Sequence, residues 1–123
     1  LDEGFVLRPR LFDKCLELFA MGDWRSMQEK LSKLNPFKPE NVMLIRRFNA
    51  GARMAKVDAN GRLQIPKDLM EKSGLVKDVV MTALTDRMQI WDKSLMEIED
   101  AKFSEEDFVN MLSAKLGEND FVD

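Results

Sequence analysis

One short stretch of the chain places an acid and a base, Asp58 and Arg62, at a spacing suited to a tight turn. On either side, residues 56–58 and 63–65 alternate polar and apolar side chains, which predicts two half-buried strands of a hairpin. Residues 59–61 between them, Ala-Asn-Gly, tolerate the positive φ that such a turn requires. If the carboxylate pairs with the guanidinium, the remaining guanidinium donors can bind a phosphate or a guanine edge, so the stretch indicates a nucleic-acid reader. A turn ion pair with no further function fits the same spacing.

The composition offers little for catalysis. The chain has no histidine, and its single cysteine, Cys15, lies in an alternating run that predicts a buried strand residue in a reducing cytoplasm rather than a reactive thiol. Asp68 and Glu71 are expected on a solvated helix face, although the same two carboxylates could serve as a general acid and base. No apolar run approaches the roughly 20 residues that span a bilayer, and no signal-peptide pattern opens the sequence. We therefore expect an intracellular protein that is not an enzyme and has no cofactor, metal, small-molecule substrate or membrane partner.

The formal net charge of -3 hides an uneven distribution of charged residues. Residues 38–67 contain seven basic and two acidic residues, whereas residues 92–123 contain ten acidic residues and three lysines. Such asymmetry is compatible with a basic surface that faces an anionic partner, beside an acidic segment that does not. A charged run can equally be a solvated face with no partner.

The elements that must position the turn form a weak internal repeat. Residues 16–19 resemble residues 88–91 at an offset of 72 positions, and both are predicted strand ends. Each follows another apolar strand, at residues 5–7 in the first case and 79–81 in the second. The two segments therefore predict two similar halves.

The same offset places the counterpart of the Asp58 turn before residue 1. Leu1 is not a natural initiator, and Leu1-Asp2 could be the remnant of a first motif, although Val6 stands where an arginine would be needed. We therefore expect a first half that is incomplete, with its hairpin motif either deleted from the protein or left out of this sequence.

Helical patterns connect and follow these halves. One has Asp23 as a plausible N-cap, and a second begins near Pro39, where proline suits the first turn. A short helix over residues 67–73 is expected to end at Gly74 in a left-handed C-cap. A last, acidic amphipathic helix opens with a capping pattern at Ser104 and is expected to dock on its own domain or on a partner.

Taken in order, these segments resemble the MraZ family of bacterial transcriptional regulators. The run V-D-A-N-G-R-L-Q-I-P carries the D-x-x-x-R signature at Asp58 and Arg62, and D-L-M-E-K-S-G-L and D-R-M-Q-I-W-D-K follow it. The similarity extends upstream through C-L-E-L-F and R-R-F-N-A-G-A and covers most of the chain up to about Asp100. The resemblance implies an α+β fold, a pseudo-two-fold β-barrel of the AbrB/MraZ swapped-hairpin type built from two similar halves with flanking helices.

The resemblance also implies a division of the chain. Residues 1–37 would be the remainder of the first MraZ-like half, and residues 38–54 a connecting helix. Residues 55–100 would be the second half with the D-x-x-x-R motif, and residues 101–123 an acidic C-terminal helix and tail.

The implied function is sequence-specific binding of double-stranded DNA by hairpin loops, on repeats upstream of the division and cell-wall gene cluster. The protein would be a homo-oligomer, a ring, in the cytoplasm at the nucleoid. Arg62 would read or clamp DNA, Asp58 would orient it, and two lysines would neutralise phosphates. The expected DNA-binding residues are Arg62, Asp58, Asn60, Gly61, Lys56 and Lys67.

Other functions fit the same residues. An AbrB-like antitoxin would bind its own promoter and would bind a toxin through the acidic C-terminal segment. A ring-forming structural scaffold would use the hairpin without DNA. Arg46 and Arg47 are expected to be structural or interface cations rather than DNA contacts.

Overall fold

The computed structural model describes residues 4–10 and 14–117. They form a mixed α+β fold, which confirms the expected class. The elements in chain order are β1 (Phe5–Pro9), β2 (Cys15–Ala20), α1 (Met21–Ser32), α2 (Pro39–Asn49), β3 (Arg53–Ala55), α3 (Lys67–Ser73), β4 (Val79–Ala83), β5 (Met88–Asp92), α4 (Lys93–Asp100) and α5 (Glu105–Leu116). The prediction about Leu1-Asp2 lies outside the described residues.

The five strands form one antiparallel sheet in the order β3-β1-β2-β5-β4. Within the described residues β3 and β4 are edge strands, so the sheet is open rather than closed into the expected barrel. Closure would need hydrogen-bond partners for these two edges. The swapped-hairpin arrangement therefore remains a prediction.

The centre of the sheet joins two hairpins that are each local in sequence. Strand β2 pairs with β1 and β5 pairs with β4, while the β2–β5 ladder sets Glu17 opposite Gln89 and Cys15 opposite Trp91. Both hairpins lead directly into a helix, because α1 begins at Met21 and α4 begins at Lys93. The two hairpins thus share the same continuation.

The sheet is covered on both faces along β2. Successive strand residues point to opposite faces, so Leu16 and Leu18 lie on one face and Glu17 and Phe19 on the other. All four are buried. The first face packs into a core cluster of Leu7, Leu16, Leu18, Ala55, Leu69, Leu75 and Ile90, which includes α3.

The second face is covered by aromatic side chains from α1 and α2. The Phe19 ring lies edge-on to Trp24 with centroids 5.3 Å apart, and Trp24 stacks on Phe48 at 5.8 Å. Such pairs add about 0.5–1.5 kcal/mol beyond the area that they bury. The aromatic contact therefore places α1 and α2 on the face opposite α3.

Several local predictions can be compared with the structure. Cys15 is buried, α2 begins at Pro39, and α3 ends at Gly74 with φ 71°, as predicted. The predicted N-cap at Asp23 is wrong, because β2 runs straight into a helix that begins at Met21. Asp23 lies instead in the first turn, where a carboxylate is favoured by the helix dipole.

By packing, the chain divides into two compact units, Leu1–Lys93 and Ser94–Asp123. The second unit contains α5, whose N-terminus has the predicted capping box: the Ser104 hydroxyl accepts from the Asp107 amide at 3.1 Å, and the Asp107 carboxylate accepts from the Ser104 amide. No side chain of α5 is buried. Among the described residues, no helix is long and apolar enough to cross a membrane.

Candidate nucleic-acid interface

The turn at Asp58–Arg62 is present, but the two strands predicted on either side of it are not. In the described residues a single β-bridge, Val57 opposite Leu63, joins the two sides. Pro66 has no backbone N–H group that could extend the hydrogen-bond ladder between the two sides. The second side is held by its side chains instead, because Leu63 and Ile65 pack against the core cluster.

Hydrogen bonds from main-chain amides to two carbonyls and one carboxylate fix the turn. The Asp58 amide donates to the Arg62 carbonyl at 2.9 Å, and the Gly61 amide donates to the Asp58 carbonyl at 3.0 Å. The Asp58 Oδ1 accepts from the Asn60 amide at 2.8 Å and from the Arg62 amide at 2.9 Å. Gly61 has φ 77°, as a three-residue hairpin loop with a glycine bulge requires.

The predicted pairing of the Asp58 carboxylate with the Arg62 guanidinium is wrong for the described residues, which contain no such ion pair. The carboxylate is engaged by main-chain amides two and four residues ahead, since these lie closer to a short side chain than a long arginine tip does. Asp58 therefore fixes the backbone that carries Arg62, and the guanidinium extends from an exposed position.

All six residues predicted to contact DNA are exposed and lie between β3 and the start of α3. Lys56 directly follows β3, and Lys67 is the first residue of α3. The structure thus brings both lysines to the two ends of the segment that carries the turn. Its described residues place no acid other than Asp58 within that segment.

An ion pair connects the two elements at the ends of this segment. The Arg53 guanidinium on β3 donates Nη1 to Asp68 Oδ1 at 2.6 Å and Nη2 to Asp68 Oδ2 on α3. These hydrogen bonds hold the pKa of Asp68 below its usual value. Asp68 therefore lies on an exposed helix face, as expected, and is paired there with Arg53, a contact that was not predicted.

A second cluster of charges was not predicted. Glu17 is 1% exposed and lies on the same sheet face as Phe19. Its carboxylate accepts from Arg8 Nη1, accepts from Arg87 Nη1 at 3.2 Å, and lies 3.6 Å from Arg10 Nη1. One buried carboxylate thus lies among three guanidinium groups.

Aromatic rings and a carbonyl complete the surroundings of these arginines. Arg8 donates Nε to the Phe48 carbonyl at 2.8 Å and lies over the Phe48 ring at 4.2 Å, while Arg87 lies over Phe19 at 4.8 Å. Burial lowers the pKa of Arg8, and Glu17 opposes that effect. The hydrogen bonds between Arg87 and Asp86 raise the pKa of Arg87 and lower that of Asp86.

The sequence contained a signal for this cluster. Residues 15–19 carry apolar side chains at every position except Glu17, which predicts a strand buried on both faces with one charge inside it. A buried carboxylate requires a cation or several donors. Arg8 and Arg87 could not be assigned as its partners, because only the β1–β2 and β2–β5 pairings bring them there.

The arginines border a groove of about 350 Å³ on the first unit, lined by Arg8, Arg10, Glu17, Met43, Leu44, Arg47, Phe48 and Arg87. Four of these side chains are arginines and only one is acidic. In the described part of the chain, no group of three or more His, Cys, Asp or Glu side chains could hold a metal ion.

The fold and its exposed turn define a class of protein. It is a small α+β protein with an exposed arginine on a turn that hydrogen bonds to main-chain amides hold in place. Comparison with known proteins gives the family. The family model described as "MraZ protein, putative antitoxin-like" matches residues 48–119, which include the turn and both units' final elements. The chain belongs to the MraZ family.

Relatives in this family carry the name transcriptional regulator MraZ. The protein of Christiangramia forsetii is 39% identical over 123 residues, which cover 98% of this chain and 77% of that protein. That of Flavobacterium psychrophilum is 47% identical over 79% of this chain and 62% of its own length. That of Acetivibrio thermocellus is 40% identical, with 79% and 67% covered. This chain thus spans only part of the length of each relative.

Proposed function

We propose that this chain is a sequence-specific DNA-binding transcriptional regulator that contacts double-stranded DNA with the hairpin of residues 56–67. Membership of the MraZ family and the name of its relatives support a regulator. The observation that carries the finer proposal is the exposed turn whose backbone the Asp58 carboxylate holds in place. It presents Arg62 on a preformed loop, so little ordering is needed on binding.

In this proposal Arg62 contacts a base edge or a phosphate. Asp58 holds the turn, Asn60 and Gly61 form its tip, and Lys56 and Lys67 neutralise phosphates on either side. Lysines that contact phosphates contribute affinity that depends on salt, whereas a bidentate arginine–guanine pair contributes about 1–3 kcal/mol of discrimination. The segment therefore combines the two kinds of contact that a DNA reader needs.

One turn of this kind supplies little discrimination, so repetition is part of the proposal. We infer a homo-oligomer, a ring of subunits with the swapped-hairpin arrangement, that acts in the cytoplasm at the nucleoid on repeats upstream of the division and cell-wall gene cluster. Linked weak contacts gain affinity when the spacing of the loops matches the spacing of the DNA sites. Residues 55–100 would then be the DNA-contacting half, and residues 1–37 the remainder of the other half.

Fluorescence anisotropy tests the role of Arg62. A labelled duplex from upstream of the chain's own operon is titrated at two salt concentrations beside a shuffled duplex of equal composition. Arg62→Ala should weaken binding to the upstream duplex by about 5- to 150-fold, which is the range of one base contact. Arg25→Ala is the matched control, because Arg25 is exposed on α1, on the face opposite α3.

Unchanged binding by Arg62→Ala, or equal binding to both duplexes, would refute this role for the turn. No binding at either salt concentration would favour the scaffold alternative. Lys67→Ala should instead reduce the salt dependence by about one phosphate contact and affect both duplexes alike.

A second comparison tests the role of Asp58. Asp58→Asn removes the charge but keeps a side-chain oxygen that can accept from the two amides, whereas Asp58→Ala removes both. Loss of a negative charge alone should strengthen binding to phosphates. We therefore expect Asp58→Ala to bind the upstream duplex more weakly than Asp58→Asn, and equal affinities would show that the turn needs no such support.

A further inference from the structure

We propose that the groove bordered by Arg10, Arg47 and Arg87 is the docking site for the acidic helix α5 of a second copy of this chain. The proposal deepens the homo-oligomer part of the proposed function and rests on it. It names both surfaces of one contact, which is different from the DNA-contacting turn.

The groove has an apolar wall on α2 that no other described part of the first unit covers. Helix α2 has no buried residue, and Met43 and Leu44 are exposed beside the partly buried Phe48. Scattered exposed apolar residues are ordinary, but these line one groove with a volume sufficient for several side chains. An occupant must therefore supply apolar groups.

The same groove has an excess of positive charge. Arg8 and Glu17 are buried at its base and balance one another, and Arg87 is also paired with Asp86. Arg47 is exposed and, within the described residues, makes no ion pair. Arginines at the edge of an apolar surface bind carboxylates with directed donors, so an occupant must also supply negative charge.

Helix α5 has both properties on one face. Its first turn contains three acids, and Glu105, Phe108 and Met111 follow one another at a spacing of three residues. These three side chains line a single groove of the second unit together with Phe103. Phe108 is 60% exposed, so an aromatic ring lies beside a carboxylate with neither covered.

The two surfaces consist of different residues, which determines what their contact can build. A contact between unlike surfaces is head-to-tail, and such contacts repeat until they close a ring or extend a filament. A second copy is therefore the occupant that fits the proposed ring, since every copy offers one groove and one helix. Each surface combines an apolar part with a charged part of the sign that the other needs.

Charge reversal tests the contact through the mass of the assembly in solution. Arg47→Glu and Glu105→Arg should each raise the dissociation constant of self-association by about tenfold or more, because like charges then face one another. Arg46→Glu is the matched control: Arg46 is exposed on the same helix but does not line the groove, and its assembly should match the wild type. Higher salt should weaken the wild-type contact.

Mixing the two single variants separates a contact between copies from one within a chain. In an alternating assembly the reversed groove of one variant would meet the reversed helix of the other, and the unchanged groove would meet the unchanged helix. We therefore expect assembly on mixing of Arg47→Glu with Glu105→Arg, although each is impaired alone. Failure to recover on mixing, an unaffected Arg47→Glu variant, or a wild-type chain that stays monomeric would each overturn the proposal.

These readouts are independent of DNA. If the charge reversals act as expected but no duplex is bound, the docking contact stands and the DNA-binding proposal fails. If Arg62→Ala abolishes DNA binding but Arg47→Glu assembles normally, the docking contact is refuted and the DNA-binding turn stands.

Discussion

Replacing Glu17 by glutamine tests whether the buried carboxylate holds the sheet together with helices α1 and α2. The change keeps the size of the side chain and one oxygen acceptor but removes the charge. Arg8 would then stay in a site where it is 3% exposed, with a neutral amide oxygen and the Phe48 carbonyl and ring as its contacts and no negative charge to pair with. Arg87 would retain its hydrogen bonds to Asp86.

The expected loss follows from this arrangement. Removing one partner of a buried ion pair costs about 3–5 kcal/mol, because the other charge is left without compensation. Glutamine keeps an acceptor for Arg8 Nη1, so we expect about 3 kcal/mol for Glu17→Gln and a larger loss for Glu17→Ala. For a unit of this size, 1 kcal/mol lowers Tm by about 4 °C or more, so Tm should fall by at least about 12 °C.

Urea unfolding followed by tryptophan fluorescence measures the loss, because Trp24 lies in the aromatic contact of this unit and Trp91 lies on β5. Glu29→Gln is the control: the Glu29 carboxylate is 3.9 Å from Lys33 at an exposed position, where a pair contributes about 0–1 kcal/mol. If Glu17→Gln were as stable as Glu29→Gln, the carboxylate would not balance the buried guanidinium and the reasoning would fail.

Three further changes give distinct outcomes. Phe48→Ala removes the ring that stacks on Trp24, and since this ring is only partly buried we expect a loss of about 2–3 kcal/mol in urea unfolding, below the about 3–5 kcal/mol of a fully buried aromatic. Gly74→Ala imposes a side chain at φ 71°, so the free energy of unfolding should fall by about 1 kcal/mol. The lowered pKa of Asp68 means that its pair with Arg53 stabilises the fold above the unfolded pKa of about 3.9, and this contribution is lost as pH falls through the lower folded value. The stability of Asp68→Asn should therefore fall less steeply than that of the wild type as pH is lowered below about 4, as measured by acid unfolding. An acid transition identical to that of the wild type would contradict the pairing.

The parts of the fold that follow from neighbouring residues could be predicted from the sequence. The α3 helix and its C-cap at Gly74, the capping box at Ser104 and the burial of Cys15 each depend on a few adjacent positions. The start of α1 could not be predicted in the same way, because the preceding strand determines it rather than the strong capping residue Asp23. Tertiary context there overrides a local preference.

In the candidate site, too, some features follow from neighbouring residue types and others depend on tertiary contacts. A tight turn with Gly61 at positive φ follows from residue types alone. The acceptor role of Asp58 depends on which donors lie nearest once the turn is closed, so spacing could not distinguish the main-chain amides from the guanidinium. Of the arginines around Glu17, Arg8 is brought there by the local β1–β2 hairpin, but Arg87 is 70 residues away, and the pairing of β2 with β5 had to be known first.

The β2–β5 ladder has a consequence for the order in which the chain can fold during synthesis. Strand β2 begins at Cys15, yet one of its two neighbours ends at Asp92, so that side of β2 has no partner until most of the first unit has been made. Contacts between residues so distant in sequence slow folding, since a long loop must close before any of them forms. In the meantime the β1–β2 hairpin exposes an apolar edge that can pair with another nascent chain. Until β5 has been synthesised, the unpaired edge of the N-terminal hairpin therefore stays exposed. Rapid completion of the chain, or a chaperone, would protect this edge from pairing with other chains.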